Sequence, residues 1–277
     1  MILCTTSLVP DRDPLRGEQV LGFADAAAGA GFDGVWLWDM HHEWAVADGV
    51  ASEAFVDHHR ALGLAIPCVE VIFYWAAPDA AEASERTLRV AEQVGAGNVI
   101  VLTAAMPPID DAAKQLGELC DRAADRGLRV SVEAVPWHGA CDVSSTAQLF
   151  DATGRDNLGL VLDLWHWQRA PGGPDVDGLR AFPAERIDFL QLDDARAEPG
   201  PDALVESLTA RELPGHGCVD IDAVLDVLAA KGATPTLAAE VFNTELTALG
   251  PAAMAKTVFD ATDAVLRRRS GSSTKSA

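Results

Sequence analysis

Residues 158–167 read LGLVLDLWHW. Leu160, Val161 and Leu162 form an apolar run of the kind that a strand buried on both faces shows. The run ends on Asp163, with His166 three residues further on. A carboxylate at the end of a buried strand is costly unless its charge is paired, and a metal ion would pair it. By itself an Asp-x-x-His also fits a capping aspartate and an ordinary loop histidine. The metal reading comes from recurrence: SVEAV places Glu133, FLQLDD places Gln191 and AAEVF places Glu240, each polar in an otherwise apolar run. Oxygen donors that are mostly anionic, converging from consecutive strand ends, suit a hard divalent ion, with Mn2+ first and Mg2+ or Co2+ as options.

These residues need a scaffold that brings strand ends together. Apolar strands are expected over 2–9, 33–39, 63–73, 98–105, 128–135, 157–163, 186–194 and 234–242. Amphipathic helices are expected over 18–31, 47–61, 78–97, 110–127, 144–153, 175–182, 220–232 and 250–268, with a long loop over 195–219. Pro78 and Gly97 bracket one helix and Gly31 closes another, the usual asymmetry of helix ends, while Ser144 is a capping candidate. Eight such alternations without a linker-like break predict one α/β domain, a (β/α)8 TIM barrel over 1–269, with 270–277 as a disordered polar tail. Barrel enzymes carry their chemistry at the C-terminal ends of the strands, where the polar residues stand. An open doubly wound sheet is the competing fold, but no Gly-rich phosphate loop follows the first strand.

The chain has 277 residues, 49% hydrophobic, with 42 acidic against 21 basic residues and a formal net charge of -21. Such a surface repels phosphate backbones, so nucleic acid and anionic membranes are poor partners. Cys4, Cys68, Cys120, Cys141 and Cys218 are scattered and contain no Cys-x-x-Cys, which argues against a disulfide framework or thiolate zinc site and fits a reducing cytosol. MILCTTSLVPDRD lacks a basic start followed by an apolar core, and no uncharged run approaches the length of a membrane span, so a cytoplasmic protein is expected. Nothing in the sequence speaks against a homo-oligomer.

The segments EAVPWHG, DLWHWQR, RIDFLQLDD, ELPGHGCVDID and AAEVFNTEL stand in an order and spacing that resemble the xylose isomerase-like barrel enzymes, often described as sugar phosphate isomerases/epimerases. The resemblance spans nearly the whole chain and is strongest from 128 to 245. It implies that Glu133, Asp163 and Glu240 are ligands of one divalent metal. Gln191 stands where His is commoner, as in a subset that includes bacterial 3-dehydroshikimate dehydratases. His166 matches a position that touches substrate beside the metal. Two departures bear on the substrate: Gly139 stands where related ketose epimerases carry a further Glu, and His216 stands where many relatives carry Glu in PG-x-G.

The chemistry expected of such ligands is proton transfer. A metal polarises a ketone and acidifies the adjacent carbon. Glu133 and Glu240 could then remove and return the proton through an enediolate, giving isomerisation or epimerisation of a keto-sugar or keto-cyclitol. Loss of a β-hydroxyl instead gives a lyase, either a dehydratase or an enzyme eliminating from a 3-keto-glycoside. Other pocket candidates are Trp38 and Trp137, as walls on which a sugar face stacks, His216 on a loop able to close over the mouth, Arg196 for an anionic group, and Glu70. The last stands where a dehydroshikimate-type dehydratase would be expected to offer a cation, which counts against that substrate. Trp75 and Trp165 are read as wall or core, His41 or His42 as pocket-lining, and His58 and His59 as surface. An endonuclease IV-type activity is disfavoured, because Glu70 and Thr103 stand where it would need His. A catalytically silent binding protein is the remaining competitor.

Overall fold

The computed structural model describes residues 1–9, 14–73, 75–76, 80–103, 107–136 and 142–273. Eight strands, β1 (Ile2–Cys4), β2 (Gly34–Trp38), β3 (Ala65–Ile72), β4 (Asn98–Leu102), β5 (Arg129–Glu133), β6 (Leu158–Asp163), β7 (Ile187–Leu192) and β8 (Thr236–Ala239), pair in parallel in chain order. The pairing of β1 with β8 closes the ring, so the fold is the expected (β/α)8 barrel. Both faces of each strand are covered, which is why the strands read as continuous apolar runs.

The helices are α1 (Gly17–Ala30), α2 (Asp39–Ala47), α3 (Ser52–Ala61), α4 (Ala80–Val94), α5 (Ile109–Ala124), α6 (Val143–Thr153), α7 (Leu164–Arg169), α8 (Val176–Ala181), α9 (Ala203–Thr209), α10 (Ile221–Ala230), α11 (Thr244–Thr247) and α12 (Pro251–Ser273). Several depart from the sequence expectation. β1 stops at Cys4 because Thr5–Leu8 coil into a 3-10 turn, with the Ser7 hydroxyl donating to the Cys4 carbonyl at 2.6 Å. Residues 39–47 and 52–61 form two helices where a single one over 47–61 is expected, and α9 lies inside the expected loop 195–219. The final helix runs to Ser273, so residues 270–273 belong to it and not to the polar tail, while 274–277 lie outside the described residues.

The barrel interior is filled, not hollow. Ile2, Cys4, Trp36, Cys68, Ile100, Val161, Phe189 and Ala238 make one buried layer, in which the Trp36 and Phe189 rings meet edge-on at 5.0 Å. Near the N-terminal ends of the strands, Asp188 pairs with Arg129 at 3.0 Å and accepts from Ser131 at 2.7 Å. Gly159 makes room for this carboxylate, since a Cβ there would lie 1.7 Å from Asp188 Oδ2. The apolar layer separates that structural ion pair from the polar strand ends above it, where the register sets Asp163 beside Gln191 and Trp38 beside Glu70. No helix among the described residues is long and apolar enough to cross a membrane.

Candidate active site

Glu133 ends β5, Asp163 ends β6, Gln191 lies one residue before the end of β7, and Glu240 follows β8. All four side chains are buried. Asp163 also caps α7: its Oδ1 accepts the His166 backbone N–H at 2.7 Å, and this turn brings the imidazole back over the barrel mouth. His166 Nε2 then lies 3.4 Å from Glu133 Oε1, and ligating atoms of Glu133, Asp163 and His166 fall within 4.8 Å of one another. Glu240 Oε1 belongs to a second group. It accepts from the Cys4 thiol at 2.9 Å, and Cys4, Glu70 and Glu240 likewise lie within 4.8 Å of one another.

Arg211, immobilised in the interior, links the two groups. Its Nη1 donates to Asp163 Oδ2 at 2.7 Å, to Glu240 Oε2 at 3.1 Å and to Asp193, while Nη2 lies 3.4 Å from His166 Nε2. The guanidinium is packed between the Phe242 and Trp165 rings, at 5.0 and 5.7 Å from their centroids. The sequence reading missed Arg211 and Asp193. The available signals were a lone Arg opening RELPGHG and the doubled acid at the end of FLQLDD. Neither says that three strand ends converge there.

Glu133, Glu240 and Asp193 are each pushed well above the usual carboxylate range, first by burial and then by the charges of neighbouring carboxylates. At Asp163 burial also acts upward, but Arg211 and His166 outweigh it and hold the group below its usual value. Burial drives the His166 imidazole down to about 4, so it is neutral near pH 7. Glu133, Asp163, Asp193 and Glu240 thus crowd around one guanidinium. The amide of Gln191 is fully buried and, among the described residues, neither its Oε1 nor its Nε2 has a hydrogen-bond partner. A buried amide left unsatisfied is expensive. An orphaned oxygen next to carboxylates that outnumber their one guanidinium is a donor set that fits a hard divalent cation.

A cleft of about 470 Å³ opens above these groups. One half is polar, formed by Thr6, Glu70, Glu133, His166, Arg211 and Glu240; the other is Trp38, Val71, Phe73, Leu102, Leu208 and Phe242. Trp38 and Glu70 therefore stand where the sequence places them. Two expected substrate contacts do not reach the cleft. His216 is exposed on a loop held elsewhere: Asp194 accepts from the backbone N–H groups of Ala195, Gly215, Gly217 and Val219 at 2.8–3.0 Å. Arg196 is half exposed and pairs with Glu212 at 3.0 Å. Trp137 lies outside the described residues, as does Gly139.

The remaining aromatic and histidine expectations sort by packing. His41 and His42 are buried behind the wall and do not line the cleft; His41 is enclosed by Phe23, Trp38 and Trp44, and His42 meets Ser52 at 2.8 Å. His59, expected at the surface, is buried with Nδ1 2.9 Å from the Phe55 carbonyl, whereas His58 pairs with Asp25 at 3.1 Å at the surface. Trp75 is a core residue whose Nε1 donates to the Leu102 carbonyl at 2.9 Å.

The family profile described as "Xylose isomerase-like TIM barrel" matches residues 24–264. The chain belongs to the xylose isomerase-like TIM barrel family. Similar proteins in this family include the inosose isomerase of Halalkalibacterium halodurans, 32% identical over 158 residues that cover 55% of this chain and 53% of that protein. The 3-dehydroshikimate dehydratase of Pseudomonas aeruginosa is 34% identical over 169 residues, covering 58% of this chain and 26% of that protein. The matched stretch thus spans about half the length of the isomerase and about a quarter of the dehydratase. Among solved structures of the same fold, the IOLI protein with a zinc atom bound aligns with 96% of this chain and 98% of its own at a TM-score of 0.81 and 19% identity. The xylose isomerase-like barrel expected from the sequence is therefore the fold and the family.

Proposed function

We propose that this chain is a divalent-metal-dependent isomerase or epimerase that moves a proton beside the carbonyl of a keto-sugar or keto-cyclitol. The observation that carries the proposal is the placement of Glu133 and Glu240. They come from β5 and β8, three places apart around the ring, yet line one cleft, and both are held above the usual carboxylate range by burial. A carboxyl group raised toward neutrality can both accept and return a proton in the same cycle.

The chain's own groups divide the work. Glu133 faces the ring nitrogen of His166, which is neutral and so able to accept from or donate to a substrate hydroxyl. Glu240 is fixed at one oxygen by the Cys4 thiol and at the other by Arg211. One carboxylate removes the proton next to the ketone and the other returns it, to the opposite face for epimerisation or to the neighbouring carbon for isomerisation. The divalent ion, Mn2+ first and Mg2+ or Co2+ as options, would be held by Glu133, Asp163, Gln191 and Glu240 and would supply Lewis-acid polarisation of the ketone. Trp38, Phe73 and Phe242 offer faces for the ring.

A second reading uses the same first step. If a β-hydroxyl or a glycosidic oxygen leaves after proton removal, the site is a lyase; the likeness to a 3-dehydroshikimate dehydratase supports it. In either case we place the protein in the cytoplasm, acting on a small molecule, without nucleic acid or membrane.

The test is Glu133→Gln and Glu240→Gln at saturating Mn2+, with keto-sugars and inososes offered in D2O. Gln keeps a donor oxygen but cannot act as a base, so activity should fall on the order of 10^2 to 10^4 in at least one variant with the metal site still filled. Wild-type protein should place solvent deuterium on the carbon beside the ketone. Full activity of both variants, with no exchange on any accepted substrate, would remove the proton-transfer mechanism.

A further inference from the structure

We propose that Glu70 sets the substrate class of this site, admitting uncharged, hydroxyl-rich keto rings and turning away rings that carry a carboxylate or phosphate. The inference rests on the reading above for what is done to the ring, but not for which ring enters. Glu70 lines the cleft beside Thr6. Its carboxylate is held in place: Trp36 Nε1 donates to Oε2 at 2.7 Å, the Thr6 hydroxyl donates to Oε1, and the Cys4 thiol approaches the same oxygen at 3.6 Å. These donors come from β1, the turn after it and β2, all parts of the rigid ring, so Glu70 cannot swing aside for an incoming anion. Among the described residues no Lys or Arg forms an ion pair with it.

Apart from a divalent ion, whose charge its own carboxylate ligands would take up, the cleft offers little to neutralise an anion. Arg211 is the one cation lining it among the described residues, and most of its donors are engaged. Nη1 serves three carboxylates, Nε donates to the Ser207 carbonyl at 2.8 Å, and Nη2 faces His166. An entering carboxylate would shed its water and meet the fixed acceptor oxygens of Glu70 instead of a donor or a cation. A hydroxyl meets the same groups as hydrogen-bond acceptors, which is the pairing they can satisfy. Selection here is therefore partly repulsive, built from what an anion cannot pair with.

The experiment compares two rings that differ in charge, an inosose and 3-dehydroshikimate, by calorimetric titration of the Mn2+-loaded protein. The comparison is repeated on Glu70→Gln, which can keep its oxygen toward Trp36 and its amide toward Thr6. Wild-type protein should bind the inosose about tenfold or more tightly than the carboxylate ring, and Glu70→Gln should narrow that ratio several-fold by improving the anion. Equal or tighter binding of 3-dehydroshikimate by the wild type would overturn the proposal. So would an unchanged ratio in a folded variant, or binding of neither ring. Deuterium exchange on the bound inosose is scored separately: binding selectivity without exchange would sink the proton-transfer reading and leave the selectivity standing, and exchange without selectivity would do the reverse.

Discussion

His41 makes a quantitative prediction about acid stability. The ring is fully buried, Nδ1 lies 3.2 Å from the Thr5 hydroxyl, and that hydroxyl is 3.1 Å from the Trp36 carbonyl. The carbonyl takes the single hydroxyl proton, so Nδ1 carries the imidazole hydrogen and Nε2 presents a bare lone pair that has no partner among the described residues. Protonation would place a second N–H in an aromatic cage with nothing to accept it, and burial accordingly lowers the group from 6.5 to about 3. Between those values the unfolded chain binds one proton more than the folded chain. Stability therefore rises with pH in that window, is fully present above it, and is lost as pH falls. The slope is about 1.4 kcal/mol per pH unit, or about 2 kcal/mol between about pH 7 and pH 5. His41→Phe should remove this contribution. The Thr5 hydroxyl keeps its carbonyl partner, and any misfit of the larger ring is a constant offset with no pH dependence. His166 titrates in the same direction in both proteins, so the comparison cancels it. Urea unfolding at several pH values is the assay: the variant should lose about 2 kcal/mol less than the wild type over that interval. Parallel stability curves would refute the assignment of a neutral His41.

Three further outcomes are expected. Arg211→Met should destabilise metal-free protein by about 3–5 kcal/mol, because Asp163, Asp193 and Glu240 lose their buried counter-charge; Mn2+ should raise the melting midpoint of the variant more than that of the wild type, and an unchanged midpoint in the metal-free variant would contradict the argument. Gln191→His should retain Mn2+ binding, whereas Gln191→Leu should weaken it by about tenfold or more; equal affinities by titration would show that the orphaned amide is not a ligand. With a formal charge of -21, the protein should not shift duplex DNA in a gel at physiological salt, and a micromolar, salt-sensitive complex would count against the sugar-chemistry reading.

The strands and their order were legible because each is covered on both faces and so reads as an apolar run closed by a polar residue. Glu133, Asp163 and Gln191 interrupt such runs, and each is buried at or next to the end of its strand. Legibility fails where an element starts without punctuation. α2 begins on Asp39 and α7 on Leu164, capped by Asp163, each directly at a strand end, so no turn residues announce them. His41 or His42 was expected to line the pocket because both follow strand two, although α2 turns them into the packing behind Trp38. Arg211 could not be read at all. Its role depends on β6, β7 and β8 delivering acids to one point, a fact of closure and not of local pattern. Arg196 was placed by its position just past strand seven and His216 by a glycine-flanked loop able to close, but the backbone demands of Asp194 turn that loop outward.

Asp194 also separates the shape of the loop after β7 from the identity of its tip. Four backbone N–H groups from 195 to 219 end on this one carboxylate, and a Cβ at Gly217 would lie 2.2 Å from the Ala195 carbonyl. The conformation is paid for by Asp194 and the glycines, while residue 216 takes part only through its backbone N–H, which donates to the Leu213 carbonyl at 2.9 Å. Position 216 is thus a socket on a finished frame. Side chains can be exchanged there, by drift or by an engineer, without reopening the question of whether the barrel folds, so new contacts at the rim can be sampled one residue at a time.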